Sequence, residues 1–160
     1  TPQGVLNAAA IAHHPRLDGF VMGTNDLAKD MGSRTRDALR MSLQHCLLAA
    51  RAAGIVALDG VYNAFKDEDG LRAECEDGRD MGFDGKTLVH PAQVAVTNAA
   101  FGPSDAEIDL ARRQIAAFDE AEKAGQGVAV VDGRIVENLH VATARATLIK
   151  AAAIAALETA

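Results

Sequence analysis

Three residues able to do polar chemistry stand where apolar runs stop: Asp26 in GTNDLA, Asp59 at the end of IVALD, and His90 in TLVHPAQ. Asp26 follows two small polar residues, a setting that suits a ligand for a hard divalent cation. Magnesium takes one or two carboxylates and leaves its other positions to water and substrate oxygens. The same carboxylate can equally cap the short helix LAKDMG. Asp59 can bind substrate or orient a neighbour, but an Asx turn that supports the loop backbone is the better reading. His90 can serve as acid, base or ligand. At a strand end it also suits an ordered hydrogen-bonding role, with Pro91 turning the chain sharply into the next helix.

The other polar groups read as structural. Lys86, taken as the start of a strand, points to salt-bridging on the face opposite the presumed site. His13, His14, His45 and His140 show no i, i+4 ligand pairing, and Arg34, Arg36 and Arg40 read as a solvated helix face. Asp67, Glu68 and Asp69 suit the first turn of a helix. No Ser-His-Asp order, P-loop or GxGxxG occurs. The formal charge of −6 argues against a nucleic-acid partner, which needs a basic face. Cys46 and Cys75 lack CxxC spacing and read as reduced, structural thiols of a cytoplasmic protein. No apolar run is expected to reach transmembrane length, so no membrane partner is expected.

These residues need elements to position them. Measured at Val21, Val56 and Leu88, the apolar runs recur at steps of 35 and 32 residues, with a helix-like stretch between each pair. That rhythm predicts β/α units with parallel strands, and such folds place chemistry where strands end. The strands are expected at 18–23, 54–58 and 86–89. Helices are expected at 2–14, at 34–53 with Ser33 as N-cap and Gly54 closing it, and at 69–81 ended by Gly82. Leu39, Leu43, Leu47 and Leu48 form the apolar stripe of the long helix.

Beyond Gly102-Pro103 the pattern changes. Ser104 and Glu107 have capping-box spacing, GVAVVDGRIVEN reads as a hairpin around Asp132-Gly133, and an alanine-rich helix covers about 139–158. The expected division is residues 1–102, three β/α units, and residues 103–160, a helix–hairpin–helix extension. Three parallel strands with two open edges make a poor sheet alone. Either other elements complete a small open sheet, or these strands are part of an eight-stranded barrel. The start on TPQG without Met favours the barrel and a chain that begins inside a larger protein.

Together GTNDLA, AAGIVALDGVYNAFKDEDGL, GFDGKTLVHPAQ, the PSDAEIDLARR helix start and VDGRIVENLHV resemble the citrate lyase beta-subunit-like family, with malyl-CoA and citramalyl-CoA lyases among its relatives. The resemblance implies an α/β fold: the last three units of a (β/α)8 TIM barrel plus the C-terminal extension. It implies homo-oligomers, commonly trimers, and a magnesium cofactor for which Asp26 is one ligand. The second ligand, a Glu, and the Arg that grips the keto acid would lie before Thr1. It also implies that Glu137, where many relatives carry Asp, is the catalytic acid reaching a neighbouring subunit's site. His90 and Pro91, and more loosely Asp59, would line the substrate and CoA region. The implied reaction is magnesium-dependent carbon–carbon cleavage of a 3-hydroxyacyl-CoA thioester to acetyl-CoA and a keto acid. The alternatives are hydrolysis of the thioester on the same scaffold, or a non-catalytic subunit.

Overall fold

The computed structural model describes residues 1–159. The chain forms two compact units, Thr1–Phe101 and Gly102–Ala160. The first runs α1 (Pro2–Leu6), α2 (Ala8–Ala12), β1 (Gly19–Val21), α3 (Thr24–Met31), α4 (Arg40–Ala53), β2 (Val56–Asp59), α5 (Glu68–Met81), β3 (Gly85–Lys86) and α6 (Val94–Phe101). The three strands lie side by side in chain order and parallel. Val21 pairs with Leu58, and Asp59 with Lys86, so the carboxyl ends of all three strands open on one rim.

The helices pack through the apolar positions their spacing provides. Leu43, Cys46, Leu47 and Ala50 of α4 meet Leu71 and Cys75 of α5, Phe83, and Val96, Ala100 and Phe101 of α6 in one buried cluster. Leu39 joins them, but Leu48 is 71% exposed, because it turns off the stripe that spacing of four residues defines. Gly54 and Gly82 end α4 and α5 in the left-handed conformation, at φ 70° and 108°, which side chains other than glycine resist.

Local chemistry shortens several elements relative to the sequence reading. The first helix breaks at Asn7, which caps α1 and precedes α2. Ser33 does not start the long helix. Residues 33–36 form a loop, Asp37–Leu39 a 3-10 turn, and α4 begins only at Arg40. The strands are short, and Val21, Val56 and Val89 are exposed.

The second unit contains α7 (Asp105–Lys123), β4 (Ala129–Val131), β5 (Arg134–Val136) and α8 (Asn138–Glu158). Ser104 N donates to Glu107 Oε2 at 2.8 Å while Glu107 N donates to Ser104 Oγ at 3.3 Å, a reciprocal cap for α7. The antiparallel β4–β5 pair turns through Asp132 and Gly133, both at positive φ (50° and 74°), as a two-residue hairpin requires. Phe118, Ala121, Ala129, Val136 and Val141 form its core.

Contrary to the expectation from sequence, one stretch among the described residues, Asn138–Leu157 of α8, is long and apolar enough to cross a membrane by length and composition, with mean hydropathy 1.2. Leu139, Val141, Leu148, Ile149, Ile154 and Leu157 supply most of that hydropathy, and alanines the rest. Arg145 and Lys150 fall inside the stretch, and Val141 and Ala144 are buried within the unit.

Candidate functional site

Asp26 lies in the first turn of α3, directly after β1, with its side chain exposed. It borders a groove of about 510 Å³ shared with Thr1, Phe20, Met22 and Gly23. Among the described residues no hydrogen bond or ion pair engages its carboxylate, so both oxygens are available to a ligand. An oxygen donor of this kind fits magnesium, which needs few protein ligands. Among the described residues no group of three or more His, Cys, Asp or Glu gathers around it. Asp26 fits as one contributor to a metal position, not as a complete cage.

Asp59, at the end of β2, has the opposite environment. It is fully buried, and four donors saturate it. Oδ1 accepts from Arg36 Nη1 (3.1 Å) and from Gly60 N (2.8 Å). Oδ2 accepts from Arg36 Nη2 (2.9 Å) and Lys86 Nζ (3.0 Å). Lys86 in turn donates to Glu74 Oε1 (2.6 Å), and Arg36 Nε to Asp77 Oδ2 (2.9 Å). Burial works against the Arg36 charge, but its hydrogen bonds to Asp59 and Asp77 hold its pKa above the ordinary guanidinium value.

The arrangement ties β2, β3, α5 and the loop before α4 around one carboxylate. Gly78 permits it, since a Cβ there would lie 2.9 Å from Asp59 Oδ2. Two readings of the sequence change here. Lys86 stands level with Asp59 at the exit end of β3, not at a far start. Arg36 is no solvated helix residue: its side chain is 19% exposed and anchors the cluster.

His90 is exposed and caps a 3-10 turn over Pro91–Gln93. Its Nδ1 accepts from Ala92 N at 3.1 Å, which in the neutral ring leaves the proton on Nε2. Phe65 stacks on the imidazole at 4.6 Å between centroids, and Lys66 Nζ lies 5.7 Å from the Phe65 ring centre. Beneath them Gln93 is fully buried. Its Oε1 accepts from Val89 N (3.0 Å) and His90 N (3.2 Å), and its Nε2 donates to Tyr62 O (2.8 Å).

The β2–α5 loop is thus held from the β3 side by Gln93 and the Phe65–His90 stack. From the β1 side the amides of Asn25 and Asn63 bond reciprocally, at 3.2 and 2.9 Å. Gln93, Phe65, Asn25 and Asn63 were absent from the sequence-based candidates. Only Gln93 left a readable signal, since it stands three residues after His90 at capping-box spacing.

Glu137 belongs to the second unit, where it is exposed between β5 and α8. Its backbone N donates to His140 Nδ1 at 3.0 Å, which gives His140 a capping role.

Residues 1–91 match the HpcH/HpaI aldolase/citrate lyase family. The chain is 72% identical over 98% of its length to a (3S)-malyl-CoA thioesterase of Cereibacter sphaeroides, and covers 56% of that protein. It is 34% identical over 94% of its length to the citrate lyase subunit beta of Escherichia coli, covering 51% of it. Among solved structures, protein CitE from Mycobacterium tuberculosis, in complex with magnesium, acetoacetate and coenzyme A, matches 95% of the chain at TM-score 0.82 and 31% identity. There the chain covers 58% of the neighbour. The chain therefore spans little more than half the length of these relatives.

These findings correct the expected reaction. The relatives at 72% identity are named for thioester hydrolysis, whereas the citrate lyase subunit stands at 34%, so the carbon–carbon lyase reading does not hold. With its α/β architecture and its match over more than half its length, this chain belongs to the HpcH/HpaI aldolase/citrate lyase family.

Proposed function

We propose that this chain is part of a magnesium-dependent thioesterase that hydrolyses a malyl-CoA-like 3-hydroxyacyl-CoA to the free acid and CoA. One observation carries the reading: 72% identity over 98% of the chain to a (3S)-malyl-CoA thioesterase. Magnesium and coenzyme A in the CitE complex support the cofactor and substrate class.

In this proposal Asp26 is one protein ligand of the magnesium ion. The bound cation supplies Lewis-acid polarisation of a substrate oxygen. His90 and Pro91, with the Phe65 stack beside them, line the path of the CoA arm. Asp59 stays behind the rim as support, because every lone pair facing its surroundings is already engaged. Glu137 is the proton-transfer carboxylate, contributed to the site of a neighbouring subunit in a homo-oligomer, proposed as a trimer. In the ionised form it can take a proton from water as the water oxygen attacks the thioester carbonyl. The carbon–sulfur bond then breaks, and the departing CoA sulfur takes up a proton.

We also read the three-stranded sheet as part of a (β/α)8 barrel in the intact, cytoplasmic protein. The exposed Val21, Val56 and Val89 on its strands and exits support this, since a barrel buries such residues.

Replacing Asp26 tests the reading. In the intact protein Asp26→Ala is expected to lower the rate of CoA release from malyl-CoA by at least about 100-fold, the scale of a lost electrostatic contact to developing charge. Turnover equal to wild type would remove Asp26 from the site.

A further inference from the structure

The first turn of α3, which carries Asp26, has no side-chain cap: Gly23 occupies the N-cap position. Among the described residues, the only side-chain hydrogen bonds from that turn run from Asn25 to Asn63, 38 residues away. Each amide donates to the other's oxygen, at 3.2 and 2.9 Å, so the pair fixes orientation as well as distance.

The two segments are built to meet. A Cβ placed on Gly60 would collide with the Thr24 side chain and lie 2.8 Å from Met22 O. The β2–α5 loop therefore approaches the start of α3 as closely as backbone allows. Further along, the same loop is anchored through Tyr62 O to the buried Gln93. Asn63 is thus the fixed partner, and the α3 turn is the element it holds.

We infer that the Asn25–Asn63 amide pair is a positioning device for Asp26, holding the α3 turn so that the neighbouring carboxylate presents its oxygens to a divalent cation. The inference rests on the metal role proposed for Asp26. The pair touches neither metal nor substrate in this account and acts through the backbone between Asn25 and Asp26. Groups that orient a metal ligand typically contribute about 10–100-fold in metal affinity.

Mn²⁺ binding to the intact protein, followed by electron paramagnetic resonance without substrate, separates the two claims. Wild type, Asn25→Ala, Asn63→Ala, the double variant and Asp26→Ala are compared, with thermal melting of each. Asp26→Ala is expected to abolish the site. Each single amide variant should weaken Mn²⁺ binding about tenfold with an unchanged melting temperature. The double variant should be no weaker than either single, because one interaction has been removed. Saturating Mn²⁺ should restore kcat in the amide variants, which a general loss of packing would not allow. Wild-type affinity in either single variant, or losses that multiply in the double, overturns the inference while leaving Asp26 in place. Wild-type affinity in Asp26→Ala overturns the metal role itself, and the inference with it.

Discussion

Arg36 grips both carboxylate oxygens of Asp59, at 3.1 and 2.9 Å, in a site where Asp59 has no solvent exposure. Lys86 and the backbone of Gly60 complete the coordination. Desolvation of these charges is offset only while every partner is present. Asp59→Ala leaves Arg36 and Lys86 facing each other across a cavity. It should destabilise the first unit by about 3–5 kcal/mol, the usual cost of breaking a buried pair. Urea unfolding measures this. A loss of a few tenths of a kcal/mol would mean that the cluster is solvated and of little structural weight.

The acid stability of the protein should carry the mark of Asp77. Burial alone would raise its pKa, but hydrogen bonds from Arg36 and Arg40 outweigh that and hold it below the ordinary carboxylate value of 3.8. A depressed folded-state pKa gives stability that is complete above the unfolded value and is lost as pH falls through the folded one. Asp77→Asn should therefore be less stable than wild type at neutral pH, and the gap should close below about pH 4. Urea midpoints measured across that range give the answer, and a gap that widens in acid would reverse the assignment.

Much of the frame could be read from the chain, and the reasons are specific. Leu39, Leu43 and Leu47 recur at helical spacing, and Gly54 and Gly82 close helices where only glycine is comfortable, so helix positions were legible. Where the long helix begins was not. Ser33 has the chemistry of a cap, but Arg36 is drawn into the Asp59 cluster, and the chain before α4 follows that pull. Long-range pairs left no local trace: nothing near Asn25 announces Asn63, and nothing near Arg36 announces Asp59. Asp26 was readable as a candidate because it follows a strand directly. Its lack of a partner became visible only with the neighbouring side chains in place. The reaction is not legible in the family resemblance, because the chain is similar both to proteins with thioesterase names and to proteins with citrate lyase names.

Cys46 and Cys75 are both free and buried. Burial pushes each thiol above its ordinary pKa, and for Cys75 this prevails over the opposing Thr97 contact and the charge of Lys86. Less thiolate means less reactivity. Neither should react with a disulfide reagent at neutral pH until denaturant is added, and rapid labelling of the folded protein would contradict the buried positions.

Gln93 holds the His90 turn to the β2–α5 loop through three hydrogen bonds. Gln93→Leu keeps the bulk but strands two N–H groups and the Tyr62 carbonyl, each costing about 1–3 kcal/mol when left unsatisfied. If this rim lines the CoA arm, the variant that survives folding should raise KM for the acyl-CoA more than it lowers kcat. Steady-state kinetics decide this, and a fall in kcat with unchanged KM would move the rim to a different role.

The products reveal which bond of the thioester substrate breaks. Intact protein supplied with Mg²⁺ and (3S)-malyl-CoA should release free CoA and malate in equal amounts, with no acetyl-CoA at any time point. Acetyl-CoA appearing together with a keto acid would show that the carbon–carbon bond is cut instead, and would contradict the thioesterase account.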